Sequence, residues 1–213
     1  MTIQSSTKTV DLCTKLNPDI LHNSIKELPS EKSTAIQCLG EKERLAFIAA
    51  ADLLNYRSAK SITGSTNAPV YQDFELCYDL PPKNIFWDLA CFLESHVRRV
   101  LKDLGMIRNN NFRFNDLIVQ RYPPGCAGIT PHRDHLKYQI LVAIIVLSGD
   151  GNFIVCDDRA GKESQVIPAR PGDLLLMLAP GLSSSEMRPF HYVSGISKTR
   201  RTVGLRNDSH TCL

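Results

Sequence analysis

Apolar positions recur at helical spacing through the first half of the chain and shift to alternating or continuous runs in the second. Ile20, Leu21, Ile25 and Leu28 fit one face of a short helix over residues 18–28. Asn17 is placed to cap it, and Pro18 occupies the first turn, where a missing N–H costs nothing. A second stripe, Leu45, Ile48, Ala49, Leu53 and Tyr56, predicts a helix over residues 41–56. The longest helix is expected over residues 85–104, where Ile85, Leu89, Leu93, Val97, Val100, Leu101 and Leu104 form one buried face and Gly105 ends it. Arg98, Arg99 and Lys102 fall mostly off that face, and Trp87 is expected in the core. Residues 1–15 are polar and read as a loose terminus, residues 58–67 read as loop, and residues 71–80 as strand or irregular chain.

From residue 112 the pattern becomes that of strands. Leu117 to Tyr122 stops at Pro123-Pro124-Gly125, and residues 139–147 form an almost unbroken aliphatic run, as in a strand buried on both faces. Ser148-Gly149-Asp150-Gly151-Asn152 reads as a tight turn into a further strand over residues 153–156. Short strands are expected at 164–167, 173–178, around His191 and over 201–206. Strands at this spacing after a helical preface predict an α+β chain. Its core should be a double-sheet jelly roll or barrel, with the N-terminal helices packed on one outer face. The 213 residues suit one domain, 1–213, with a mainly helical part over 1–111 and the strand-rich core over 112–208.

Composition narrows the functional classes only a little. Lys and Arg exceed Asp and Glu by 25 to 22, a mild excess that permits anionic partners but leaves no concentrated basic stripe of the nucleic-acid-binding kind. The seven cysteines form no C-x-x-C pair, which argues against a zinc ribbon or a full disulfide framework and for reduced thiols in a cytoplasmic protein. Neither a signal sequence nor a membrane span is expected.

The chemistry concentrates at Thr130-Pro131-His132-Arg133-Asp134-His135. Along an extended strand, His132 and Asp134 project to one face while Arg133 points away. With a third ligand downstream, for which His191 is the best candidate, they would form a two-histidine, one-carboxylate set with open positions, which suits non-haem Fe(II). Taken alone, an H-x-D pair is weak evidence, since two such residues at this spacing are more often a solvated polar face. Alternation also organises Lys198 to Arg206. Arg200, Thr202, Gly204 and Arg206 share one face, and Arg201, Val203 and Leu205 the other. Two guanidiniums between small residues would make a floor for a dicarboxylate, or they are two surface arginines on a last strand.

The ordered set Phe114-Asn115-Asp116-Leu117-Ile118-Val119-Gln120-Arg121-Tyr122-Pro123-Pro124-Gly125, His132-x-Asp134, Gly172-Asp173-Leu174-Leu175-Leu176-Met177, His191, and Arg200 with Arg206 resembles the AlkB-like Fe(II)- and 2-oxoglutarate-dependent dioxygenases over roughly residues 80–208. The resemblance implies a double-stranded β-helix with His132, Asp134 and His191 as iron ligands. It further implies Arg200 on the distal carboxylate of 2-oxoglutarate, Tyr122 and Gln120 hydrogen-bonding that co-substrate, and Arg206 near its metal-chelating end, with O2 as the other co-substrate. Gln120 and Tyr122 are two residues apart and so point the same way. Gln120 stands where the family more usually has Asn.

Two departures bear on substrate. Nucleobase-demethylating members often carry an acidic residue just after the H-x-D aspartate, where this chain has His135 and Leu136. A lid rich in arginine and aromatic residues for a flipped base is also missing from the sequence before the core. The expectation is therefore hydroxylation of a C–H bond in a small molecule or amino acid, with Arg133 and His135 as candidate substrate residues. Oxidative demethylation of N-alkylated nucleic acid is the alternative, and a non-catalytic metal-binding barrel the third reading. Oligomeric state has no sequence signal.

Overall fold

The computed structural model describes residues 12–107, 112–183 and 187–210. The expected loose terminus therefore lies largely outside the described residues, as does the helix-to-strand boundary at 111.

Three helices, α1 (Pro18–Glu31), α2 (Glu41–Asp52) and α3 (Ile85–Asp103), form where the pattern placed them. The Asn17 side chain accepts hydrogen bonds from the backbone N–H of Asp19 and Ile20, satisfying donors that the first turn of α1 leaves free. α3 buries Leu89, Leu93, Val97, Val100 and Leu101, with Phe86 and Ala90 beside them, and Trp87 packs half-buried against the same core. In α2 the buried face is Phe47 and Ala51, while Leu45 and Leu53 are exposed. Residues 45–51 are apolar all the way round, so periodicity cannot select a face there. The helix also ends at Asp52, before Leu53 can join a stripe.

Thirteen strands fall into two antiparallel sheets among the described residues. They are β1 (Ser33–Gln37), β2 (Arg57–Ser58), β3 (Ile62–Ser65), β4 (Ala68–Asp73), β5 (Glu75–Cys77), β6 (Asp116–Tyr122), β7 (Gly128–His132), β8 (Tyr138–Ser148), β9 (Asn152–Cys156), β10 (Gln165–Ile167), β11 (Asp173–Leu178), β12 (Phe190–Ser194) and β13 (Arg200–Asp208). The larger sheet runs β1-β11-β8-β13-β6-β5-β2 and the smaller β10-β9-β12-β7-β4-β3. β1 to β5 lie in the part expected to be mainly helical, and β2 and β3 replace the loop expected at 58–67. These strands are short and largely polar; their neighbours in the sheets specify them more than their own pattern does. The turn after β8 carries the chain from one sheet to the other, since β8 and β9 do not pair.

Alternation divides the core into two layers. Leu141, Ala143, Ile145 and Leu147 of β8, with Val203 and Leu205 of β13, pack under the helices. Val142 of β8 and Ile118 and Tyr122 of β6 turn the other way, into the space between the sheets. α1 lies on β1 and β11, and α2 on β8, so the helices cover the outer face of the larger sheet and leave its inner face to the smaller one. Phe47→Ala should cost about 3–5 kcal/mol of stability through lost burial and a cavity, whereas Leu45→Ala, at 52% exposure, should stay within about 0.5 kcal/mol. Urea unfolding of the two variants checks which face of α2 is inside. Among the described residues no helix is long and apolar enough to cross a membrane, and the six described cysteines are free.

Candidate active site

The two sheets face each other across a cavity whose walls come from β6 and β13 on one side and β7, β9 and β12 on the other. β7 and β12 pair antiparallel with His132 directly opposite His191. The ladder thus brings together two imidazoles far apart in sequence, with ring centroids 4.3 Å apart. Asp134 lies just beyond the end of β7 rather than within it, yet its Oδ1 is 4.0 Å from His132 Nε2 and 3.9 Å from His191 Nε2. The three candidate ligand atoms all fall within 4.8 Å of one another, a spacing that one metal ion can bridge.

Backbone carbonyls orient both rings. His132 Nδ1 is 2.9 Å from the Thr130 carbonyl and His191 Nδ1 is 3.4 Å from that of Pro189, which leaves each Nε2 for a ligand. Burial lowers the basicity of His132, and burial together with His132 brings His191 down to about 4. Burial alone would raise the Asp134 carboxyl, but His191, Arg206 and His132 hold it below the ordinary carboxylate range. Neutral imidazoles and an ionised carboxylate are the protonation states that cation binding requires. Arg188 also donates to the Asp134 backbone carbonyl, which ties down the loop carrying that ligand.

The β13–β6 register completes the other end. Arg200 lies opposite Tyr122 and Thr202 opposite Gln120, and all four line the cavity with Gly204 and Arg206. Thr202 donates its hydroxyl to Gln120 Oε1 at 3.2 Å. Burial raises the Tyr122 phenol, so it stays protonated and able to donate. The opposite face behaves as alternation predicts: Val203 and Leu205 enter the helix-side core, and Arg201 pairs with Asp52 at 2.7 Å.

The two inward arginines differ. Arg206 Nη1 lies 3.0 Å from Asp116 Oδ1, so an acid already compensates its charge, and its guanidinium lies 4.9 Å over the Tyr138 ring. Arg200 is 2% exposed and has no carboxylate within ion-pair distance among the described residues. Its Nη1 donates to the Asp150 and Gly151 carbonyls at 3.1 and 3.2 Å, and its buried Nε has no partner. An uncompensated buried cation is costly, which points to an anion as its missing partner.

Sequence reasoning missed the loop that holds Arg200. Gly149 sits at φ +83°, and a side chain there would press on the backbone of Thr199 and Arg200. The Asp150 carboxylate accepts from the backbone N–H of Ser197 and Lys198, both at 2.8 Å, and from the Ser197 hydroxyl at 2.5 Å. Those bonds, the hydroxyl first, hold its pKa down to about 2. Its folded value lies below its unfolded one near 3.9, so its contribution to stability is complete above about pH 4 and fades as pH falls toward 2. The stability gap between wild type and Asp150→Asn, measured by urea unfolding from pH 5 downward, should therefore narrow through that window. The only advance signal was the Gly-Asp-Gly turn itself.

Arg133 and His135 do not enter the inner cavity. They line the outer cleft that opens from it, together with Tyr78, Tyr138, Arg159 and the β3–β4 hairpin.

No protein-family model matches this sequence, and no curated protein matches it. Solved structures do. An oxidoreductase of the 2OG-Fe(II) oxygenase family from Burkholderia pseudomallei superposes with a TM-score of 0.62 at 14% identity, over 93% of this chain and 94% of that one. The fold is that of the 2OG-Fe(II) oxygenases. A Pseudomonas putida prolyl-4-hydroxylase gives 0.64 at 14% identity, over 89% and 99% of the two chains. The viral collagen prolyl hydroxylase of Paramecium Bursaria Chlorella virus-1, solved as a 2OG complex, gives 0.57 at 14%, over 86% and 98%. The expected helix-decorated double-stranded β-helix is therefore the observed architecture.

Proposed function

We propose that the protein is an Fe(II)- and 2-oxoglutarate-dependent dioxygenase that hydroxylates a C–H bond of a non-nucleic substrate, with formation of succinate and CO2. The observation that carries this reading is the shared cavity: a buried arginine without an acid partner lies on the same cavity as a His-Asp-His cluster. A plain metal-binding barrel would leave that arginine unexplained.

In this reading His132, Asp134 and His191 hold the iron, and three protein ligands leave coordination positions open. Arg200 binds the distal carboxylate of 2-oxoglutarate, Tyr122 and Gln120 hydrogen-bond it, and Arg206 stands at its chelating end. Iron, 2-oxoglutarate and O2 together supply the oxidising chemistry. The chain contributes position and dryness: Ile129, Val142, Ile144, Phe153 and Val193 wall the cavity with apolar surface, and the Phe153 ring stacks on His191 at 5.5 Å. The motif spacing supports an AlkB-like relationship, while His135 and Leu136, in place of an acidic residue, support a substrate other than a nucleobase.

Air-equilibrated protein with Fe(II) and 2-oxoglutarate should form succinate, and a chelator should stop it. If neither iron nor 2-oxoglutarate affects turnover or binds, the reading fails. Formaldehyde release from methylated oligonucleotides as fast as the best small-molecule turnover would assign the site to nucleic-acid demethylation instead.

A further inference from the structure

The outer cleft shares Gln120, His132, Asp134 and Arg206 with the inner cavity, so whatever reacts at the metal-ligand cluster must lie in it. Its charge is one-sided. Among the described lining residues the only carboxylate is Asp134, already committed to the ligand cluster, while four arginines line the same cleft: Arg133, Arg159, Arg188 and Arg206. Arg206 has Asp116, and Arg188 donates to the Asp134 backbone.

Arg133 and Arg159 are held differently. The Arg133 guanidinium lies 4.2 Å over the Phe190 ring, and that of Arg159 lies 5.6 Å from the same ring. Arg159 Nη1 also donates to the Pro69 and Pro131 carbonyls at 3.3 and 3.4 Å. Neither has a carboxylate within ion-pair distance among the described residues. An aromatic face and carbonyl oxygens orient a guanidinium without neutralising it. Two like charges are thus gathered at one mouth, on a ring that immediately precedes His191. Both side chains are exposed, so solvent screens much of their repulsion, but a bound anion would add direct charge-assisted bonds, because a guanidinium fork matches carboxylate and phosphate oxygens.

Resting on the oxygenase reading, we infer that the substrate is a compact molecule whose carboxylate or phosphate group is bound by Arg133 and Arg159 at the mouth of this cleft. Both guanidiniums lie against one ring rather than along a stripe, which fits a single anionic group better than a polynucleotide backbone.

The test begins under argon, where Fe(II) and 2-oxoglutarate should together give a visible charge-transfer band. Binding to that loaded protein is then measured by saturation-transfer NMR for matched probes. N-acetyl amino acids against their carboxamides form the carboxylate arm, glycerol phosphate and ribose phosphate against glycerol and ribose the phosphate arm, and a short single-stranded oligonucleotide is run beside them. In one arm the anions should bind at least about ten-fold more tightly than their neutral counterparts, and that arm names the group. Arg133→Gln or Arg159→Gln should each remove about ten-fold of the affinity for the anions, and the Arg133→Lys, Arg159→Lys pair should keep most of the preference. Equal binding of anions and neutral counterparts in both arms overturns the inference, as does wild-type anion affinity in the Arg133→Gln, Arg159→Gln double variant. An oligonucleotide that outcompetes both arms overturns the compact-substrate assignment. Absence of the band removes the oxygenase reading and this inference with it, whereas the band without anion preference removes the inference alone.

Discussion

His191→Ala should yield a folded protein that no longer retains Fe(II) and forms no detectable succinate, and His132→Ala and Asp134→Ala should do the same. The expectation follows from the number of ligands. With three protein groups within 4.8 Å of one another, losing one leaves two, and metal affinity should fall by more than about 100-fold, beyond what loss of an outer-shell partner costs. Folding should survive because none of the three side chains belongs to either apolar cluster, and the β7–β12 ladder that presents His132 and His191 is made by backbone. His96→Ala, on the distant helix α3, is the control for general loss of imidazole. Equilibrium dialysis with Fe(II) under argon, beside circular dichroism, separates the outcomes. Full metal affinity in His191→Ala would show that the third ligand is another residue.

The H-x-D pair could be read from the sequence because His132 and Asp134 stand two apart, although Asp134 proves to lie past the end of β7, and His191 joins them only through the long-range β7–β12 ladder. The inward face of β13 follows from strict alternation, which the β13–β6 register reproduces residue by residue. The helix start at Asn17 and the stripe of α3 are equally local. What the sequence concealed depends on partners distant in the chain. β1 is a strand because β11 offers it an edge, and the face of α2 is chosen by β8 rather than by its own nearly uniform apolar surface. The pairing of Arg206 with Asp116 is set by the register of two strands, and Arg159 comes from a turn region with no pattern of its own. The Asp150 loop lay in view as a turn, but its bond to Arg200 exists only because the chain passes there from β8 to β9 in the other sheet.

Arg200→Ala should raise the 2-oxoglutarate concentration needed for half-maximal succinate formation far more than Arg201→Ala does, although the two residues are adjacent and chemically identical. Arg200 points into the cavity with its Nε unpartnered, so a bound carboxylate would gain charged hydrogen bonds worth about 1.5–3 kcal/mol each, a loss of roughly 10- to 150-fold when one is removed. Arg201 points away, toward Asp52 and the Ser148 hydroxyl at 3.1 Å; its removal breaks a half-buried ion pair whose acid end faces solvent, and it touches no part of the cavity. Arg200→Lys keeps the charge but loses the planar fork, so it should recover only part of the affinity. Titrating 2-oxoglutarate against the iron-loaded variants under argon reads binding without turnover. It also separates a co-substrate defect from a metal defect, because Arg200→Ala should keep wild-type affinity for Fe(II) alone. Equal losses at Arg200 and Arg201, or a loss confined to Arg201, would mean that the inward face of β13 does not bind the co-substrate, and the buried Arg200 charge would then require a different anion.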